Sequence, residues 1–266
     1  MGLLDRLVGR SRPREDAPSV TEQMATAYDA GARGDYATAL SIWEPLARAG
    51  VARAQGNIGA CFAEGLGVER DAALAVRWMS LAAEAGDVIA RRNLASLYFK
   101  GEGVEQNYAE AAKLYRVASE SGDAPAQDML SWMLLEGEVI APDHAEARRW
   151  ALAAAEQGVA ASMTRLGMIF HNALGIERDA REAASWWQRG AERGDADGQA
   201  MLGAAYHLGA GVPYDRVAAF VWLLRARAGG SALAERFFDA ARSRLTASQI
   251  AEAERLAAEA LPEPTP

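Results

Sequence analysis

Apolar residues along the chain fall into two alternating kinds of stripe. In the first, Ile58 and Phe62, Leu94 and Tyr98, Leu130 and Leu134, Leu166 and Phe170, and Leu202 and Tyr206 are each four residues apart. That spacing puts both members on one face of a helix, here named helix A. In the second, Ala39 and Ile42, Ala75 and Trp78, Ala111 and Leu114, Ala147 and Trp150, Ala183 and Trp186, and Ala219 and Trp222 are three apart, which marks one face of a following helix B. The small alanine lets a neighbouring backbone approach and the large residue is expected to fill the space beyond it.

The stripes repeat every 36 residues, as do Gly50, Gly86, Gly122, Gly158, Gly194 and Gly230. So do Asp35, Asp71, Asn107, Asp143, Asp179 and Asp215. An Asp or Asn at that place caps helix B, because its short side-chain oxygen accepts from an orphaned first-turn amide. The Gly 15 residues later suits a left-handed C-terminal cap. Short loops join A to B: Gly65-Leu-Gly67-Val68, Gly101-Glu-Gly103-Val104, Gly137-Glu-Val139-Ile140, Ala173-Leu-Gly175-Ile176 and Gly209-Ala-Gly211-Val212. The pattern predicts an all-α protein, a right-handed α/α solenoid of antiparallel helix pairs, in units 19–50, 51–86, 87–122, 123–158, 159–194 and 195–230. Ser19-Val-Thr-Glu22 reads as a capping box that opens the first unit. Residues 231–261 read as a terminal cap, with a helix over 232–243 and a second capping box, Thr246-Ala-Ser-Gln249, opening a last helix to Leu261. Outside the 19–261 repeat domain lie an arm, 1–18, and a tail, 262–266, expected to be free of it.

These residues resemble the Sel-one-like repeats (SLR), a branch of the tetratricopeptide superfamily. The likeness rests on Ile58-Gly59, Phe62, Gly65-Leu-Gly67-Val68, Asp71, Ala75, Trp78, Ala82-Ala83 and Gly86, and residues 195–230 carry it again. It implies stacked helix pairs and a scaffold or adaptor role with no reaction attached. Some secreted relatives have disulfide-stapled repeats and bind β-lactams. The paired cysteines are missing here, which counts against that activity; a ligand-binding or enzymatic solenoid, for example one related to β-lactams or the cell wall, is the alternative reading.

Charge and chemistry point the same way. An excess of 36 acidic over 28 basic residues opposes nucleic acid as a partner. Cys61, the single cysteine, forms no internal disulfide and reads as an inert buried thiol. No stretch reaches the roughly 18 apolar residues that span a bilayer, and the N-terminus has no secretory core. A cytoplasmic place in a bacterium is expected. In residues 1–14, Leu3, Leu4, Leu7 and Val8 share a face and four arginines face one aspartate, so a weak contact with the inner membrane or an acidic partner is an alternative role for the arm. His144, His171 and His207 have no zinc spacing, the Gly-x-Gly-Val loops follow no strand, and no hydrolase or nucleotide-binding motif occurs; no cofactor or metal is expected.

In tetratricopeptide-like stacks the concave face is built from helix A positions around the repeat leucine. Carried over by resemblance, the partner groove would include Arg92, Ser96, Phe99, Lys100, Asp128, Trp132, Leu135, Met168, His171, Asn172 and His207. Trp132 stands apart, because it is the one tryptophan of seven on a helix A. It belongs either to an aromatic anchor in the groove or to the core between repeats.

Overall fold

The computed structural model describes residues 18–261, and among them are fourteen helices and no strand. In chain order they are α1 (Val20–Ala32), α2 (Tyr36–Arg48), α3 (Ala52–Glu64), α4 (Ala72–Glu84), α5 (Val88–Lys100), α6 (Tyr108–Glu120) and α7 (Ala124–Glu136). They continue with α8 (His144–Glu156), α9 (Ala160–His171), α10 (Ala180–Glu192), α11 (Ala196–Leu208), α12 (Arg216–Ala228), α13 (Glu235–Arg242) and α14 (Ala247–Ala258). Through α12, odd numbers are helices A and even numbers helices B. The expected arm, apart from Pro18, and the tail 262–266 lie outside the described residues.

The described residues form two compact units, one of residues 18–94 with Glu102–Val104, the other of Ala95–Gly101 with residues 105–261. In the first, α1 packs on α2, α2 on α3 and α3 on α4. In the second, each helix from α6 to α12 packs on the next, α13 and α14 close against α12, and α9 also touches α7 and α11. The A helices of this unit therefore stand side by side in a row.

All six predicted caps of helix B form: Asp35, Asp71, Asn107, Asp143, Asp179 and Asp215 each accept from a first-turn amide. Helix B then ends in a Schellman motif, as in Gly122 N–H to Ser119 C=O (3.0 Å) and Asp123 N–H to Ala118 C=O (3.1 Å). This turn sets Gly122 at φ +86°, where a Cβ would meet no atom within 4 Å, so conformation alone demands glycine. Gly122→Val is expected to cost about 1 kcal/mol or slightly more. A urea midpoint equal to that of the parent protein would contradict this.

Two expectations change. The large residues one turn beyond the helix-B alanine are mostly half-buried: Trp150 is buried, but Ile42, Trp78, Leu114, Trp186 and Trp222 lie at the boundary. The core stripe runs through the next residue, Trp43, Met79, Tyr115, Ala151, Trp187 and Leu223, which are 5, 2, 3, 0, 2 and 0 % exposed. Four residues separate Ala39 from Trp43, and that step follows the helix surface more closely than three. Guanidinium groups lie over three tryptophans of this series, Arg149 over Trp150 at 4.3 Å, Arg189 over Trp186 at 4.1 Å and Arg225 over Trp222 at 5.2 Å. In the terminal cap, the helix expected over 232–243 shortens to Glu235–Arg242, and the final helix ends at Ala258 rather than Leu261. Both capping boxes are present.

The residue after the helix-A leucine explains how the core stripe fits. In three repeats glycine stands there against a large partner: Gly59 against Met79, Gly167 against Trp187 and Gly203 against Leu223. Opposite the small Ala151 the place is taken by Ser131, whose hydroxyl donates to Ala147 C=O at 2.8 Å.

A further series reaches across repeats. Gln55 donates to Ala47 C=O (3.1 Å), Arg91 to Ala83 C=O (2.8 Å), Gln127 to Ser119 C=O (3.1 Å) and Gln199 to Ala191 C=O (3.2 Å). Each adds a second hydrogen bond to a carbonyl near the end of the preceding helix B that already accepts from the glycine amide of the Schellman turn. At the equivalent place after α8 stands Met163, fully buried.

Candidate functional site

Within the second unit, the row of A helices borders an open groove of about 520 Å³. Its lining comes from Trp132, Leu135 and Glu136 of α7; Ala161, Thr164, Arg165 and Met168 of α9, with Asn172 and Leu174 just beyond; and Asp195, Asp197 and Met201 of α11, with Leu233. On α7, Leu130, Met133 and Leu134 turn into the core and are nearly or fully buried. Trp132 lies on the other side of that helix, half-buried, and its side chain borders the groove. Phe99 meets it edge-on, ring centres 5.8 Å apart at 70°, and Tyr108 meets Phe99 at 5.2 Å in turn. Such an edge-to-face row holds the indole in place without covering it.

The polar framework ties neighbouring A helices together. Arg165 pairs with Asp128 at 2.5 Å, and the two side chains are 12 and 20 % exposed. Asp128 also accepts from the Ser162 hydroxyl. Asp195 caps α11 through Gly198 N–H and accepts from Thr164 Oγ1, both at 2.6 Å. Asp197 accepts from Ser231 Oγ at 2.6 Å.

Of the residues expected at the site, Trp132, Leu135, Met168 and Asn172 come together in the lining, Asp128 stands behind it paired to Arg165, and Phe99 supports Trp132. The remaining five are not part of the lining. Ser96 is half-buried and Lys100 exposed at the end of α5. Arg92 belongs to the first unit, where its Nε donates to Asn93 Oδ1 at 3.4 Å. His171 tilts against Trp187 with ring centres 5.3 Å apart, and burial, aided by Arg178, pushes its pKa down. His207 is half-buried on α11. Arg165, Asp195, Asp197, Met201 and Leu233 line the groove without having been expected there. A signal for Asp195 exists in the sequence, since Asp87 and Asp123 hold the equivalent helix-A cap position. Leu233 follows the last regular repeat and has no counterpart to reveal it.

The groove offers apolar contact and carboxylates. Among the described residues no group of three or more His, Cys, Asp or Glu could hold a metal ion. Cys61 is buried and unpaired, and burial pushes its thiol pKa up, away from nucleophilic use. No helix among the described residues is long and apolar enough to cross a membrane.

Compared with known proteins, the chain matches the Sel1 repeat family model five times, over residues 52–87, 88–123, 124–159, 160–195 and 196–231. The crystal structure of a Sel1 repeat protein from Oxalobacter formigenes is 28 % identical, covers 88 % of this chain and 98 % of its own, and superposes with a TM-score of 0.77. Another, from Klebsiella pneumoniae subsp. pneumoniae, is 22 % identical over 76 % of this chain and 99 % of its own, TM-score 0.48. The c5321 protective antigen present in uropathogenic Escherichia coli strains, which displays an SLR fold, is 24 % identical over 90 % of this chain and 68 % of its own, TM-score 0.41. The last two scores add nothing to the first. No curated protein matches the sequence. Sel1 repeat proteins are generally non-enzymatic scaffolds that bind protein partners. With the matched repeats spanning well over half its length, the chain belongs to the Sel1 repeat family.

Proposed function

We propose that this protein is a non-enzymatic interaction scaffold whose protein partner seats in the groove beside α7, α9 and α11, with Trp132 as the anchor. One observation carries the reading. The tryptophan that departs from the helix-B rule borders an open groove of mixed apolar and polar lining, whereas Trp150, Trp186 and Trp222 lie under arginines. A half-buried aromatic beside aliphatic and thioether side chains is the composition of an interface hot spot.

The test compares two truncations after a partner has been captured from the native cell and identified by mass spectrometry. Trp132→Ala is expected to weaken that partner's binding by about 2 kcal/mol while shifting stability by about 1 kcal/mol or less. Trp150→Ala removes a buried ring whose Nε1 donates to Glu146 at 3.0 Å, and it should destabilise the fold by about 3 kcal/mol. A Trp132→Ala protein that unfolds as readily as Trp150→Ala, or binds as tightly as the parent, would overturn the assignment.

A further inference from the structure

We infer that the groove selects a basic segment: an exposed peptide that sets an aromatic or branched apolar side chain against Trp132 and flanks it with lysine or arginine. This rests on the groove being the partner site and names the chemistry of what enters it. The floor is apolar, formed by Trp132, Leu135, Met168, Leu174, Met201 and Leu233. Three carboxylates border it, Glu136 exposed at the end of α7, Asp195 at the cap of α11 and Asp197 exposed in its first turn. The cation in the lining, Arg165, is already neutralised by Asp128.

Thr164 and Ser231 give Asp195 and Asp197 hydroxyl hydrogen bonds, which satisfy lone pairs and leave the charges in place. The groove thus presents three carboxylates, two of them at the start of α11, against one arginine that is itself paired to Asp128. Beside low-dielectric walls such charges focus the field, drawing in cations and repelling an acidic peptide of the same shape. The apolar anchor sets how long the occupant stays, and the rim charges set which occupant arrives and how binding responds to salt.

A random peptide library displayed on phage and panned on the full chain tests this without presuming a partner. Enriched sequences should carry more Lys and Arg than Asp and Glu around a Trp, Phe or Leu. The best of them, synthesised with a fluorophore and measured by anisotropy, should bind at least about tenfold more weakly to Trp132→Ala. Glu136→Gln and Asp197→Asn should each weaken it by about threefold, and added salt should weaken it further. Neutral or acidic winners, no enrichment, or indifference to both carboxylate changes would overturn the inference. The two readings fail differently. Acidic winners that are lost on Trp132→Ala leave the groove as the site and remove its preference for cations. Basic winners that ignore Trp132→Ala bind elsewhere and remove the groove itself.

Discussion

Replacing Gly211 with alanine is expected to cost about 3 to 4 kcal/mol, among the largest losses from a single methyl group anywhere in the chain. Two effects add. Gly211 sits at φ +80°, a conformation in which a side chain is strained by about 1 kcal/mol. Its Cβ would also land 1.8 Å from the carbonyl oxygen of Ala180 and 2.4 Å from the carbonyl carbon. Those atoms are backbone, at the first residue of α10, where a hydrogen-bonded helix leaves no soft direction in which to retreat. The loop between α11 and α12 therefore lies directly on the start of the preceding helix B. Gly122→Ala is the internal control, since it meets the backbone penalty with empty space around it. Urea denaturation of the two variants should give midpoints well apart; equal midpoints would mean that the loop does not touch α10.

Trp187→Ala should cost about 4 kcal/mol, because the ring is almost wholly enclosed and the surrounding helices cannot collapse into the space it leaves. The space exists because of Gly167: a Cβ there would lie 2.3 Å from two atoms of the indole. Gly167→Ala in the parent protein is therefore expected to lose about 2 kcal/mol by overpacking, despite alanine's better helix propensity. In a Trp187→Leu background the same change should be close to neutral, which gives a coupling of about 1 kcal/mol or more in a double-mutant cycle. Strictly additive losses would show that the glycine serves some other purpose than making room for the ring.

Gly167 and Trp187 also show what can and cannot be read from residues alone. Caps and turns are local chemistry, in which an aspartate meets an amide three residues on and a glycine meets its own φ angle, so Asp179 and Gly194 disclose the ends of α10 directly. The 36-residue recurrence then multiplies each local signal. Which of two adjacent large residues faces the core is a different question. Trp186 and Trp187 stand side by side in sequence, and the answer depends on helix rotation and on a glycine 20 residues earlier. The groove shows the same division. Trp132, Leu135, Met168 and Asn172 follow from their places on helix A, whereas Asp197 and Leu233 reach the lining through packing of the last repeat against its irregular cap.

The missing brace at Met163 gives the groove a property of its own. At the junction of α8 and α9 the buried thioether Met163 stands where Gln55, Arg91, Gln127 and Gln199 donate, and Val159 supplies no side-chain cap. Directional links from α9 run instead to α7, where Asp128 pairs with Arg165 and accepts from Ser162. Apolar contacts resist separation but tolerate sliding, whereas a charged hydrogen bond fixes a register. An acidic segment in the groove would compete with Asp128 for the guanidinium and loosen the joint beneath it. Should the groove take the basic segment proposed for it, the joint stays shut, and the Arg165–Asp128 pair keeps the receiving surface in register.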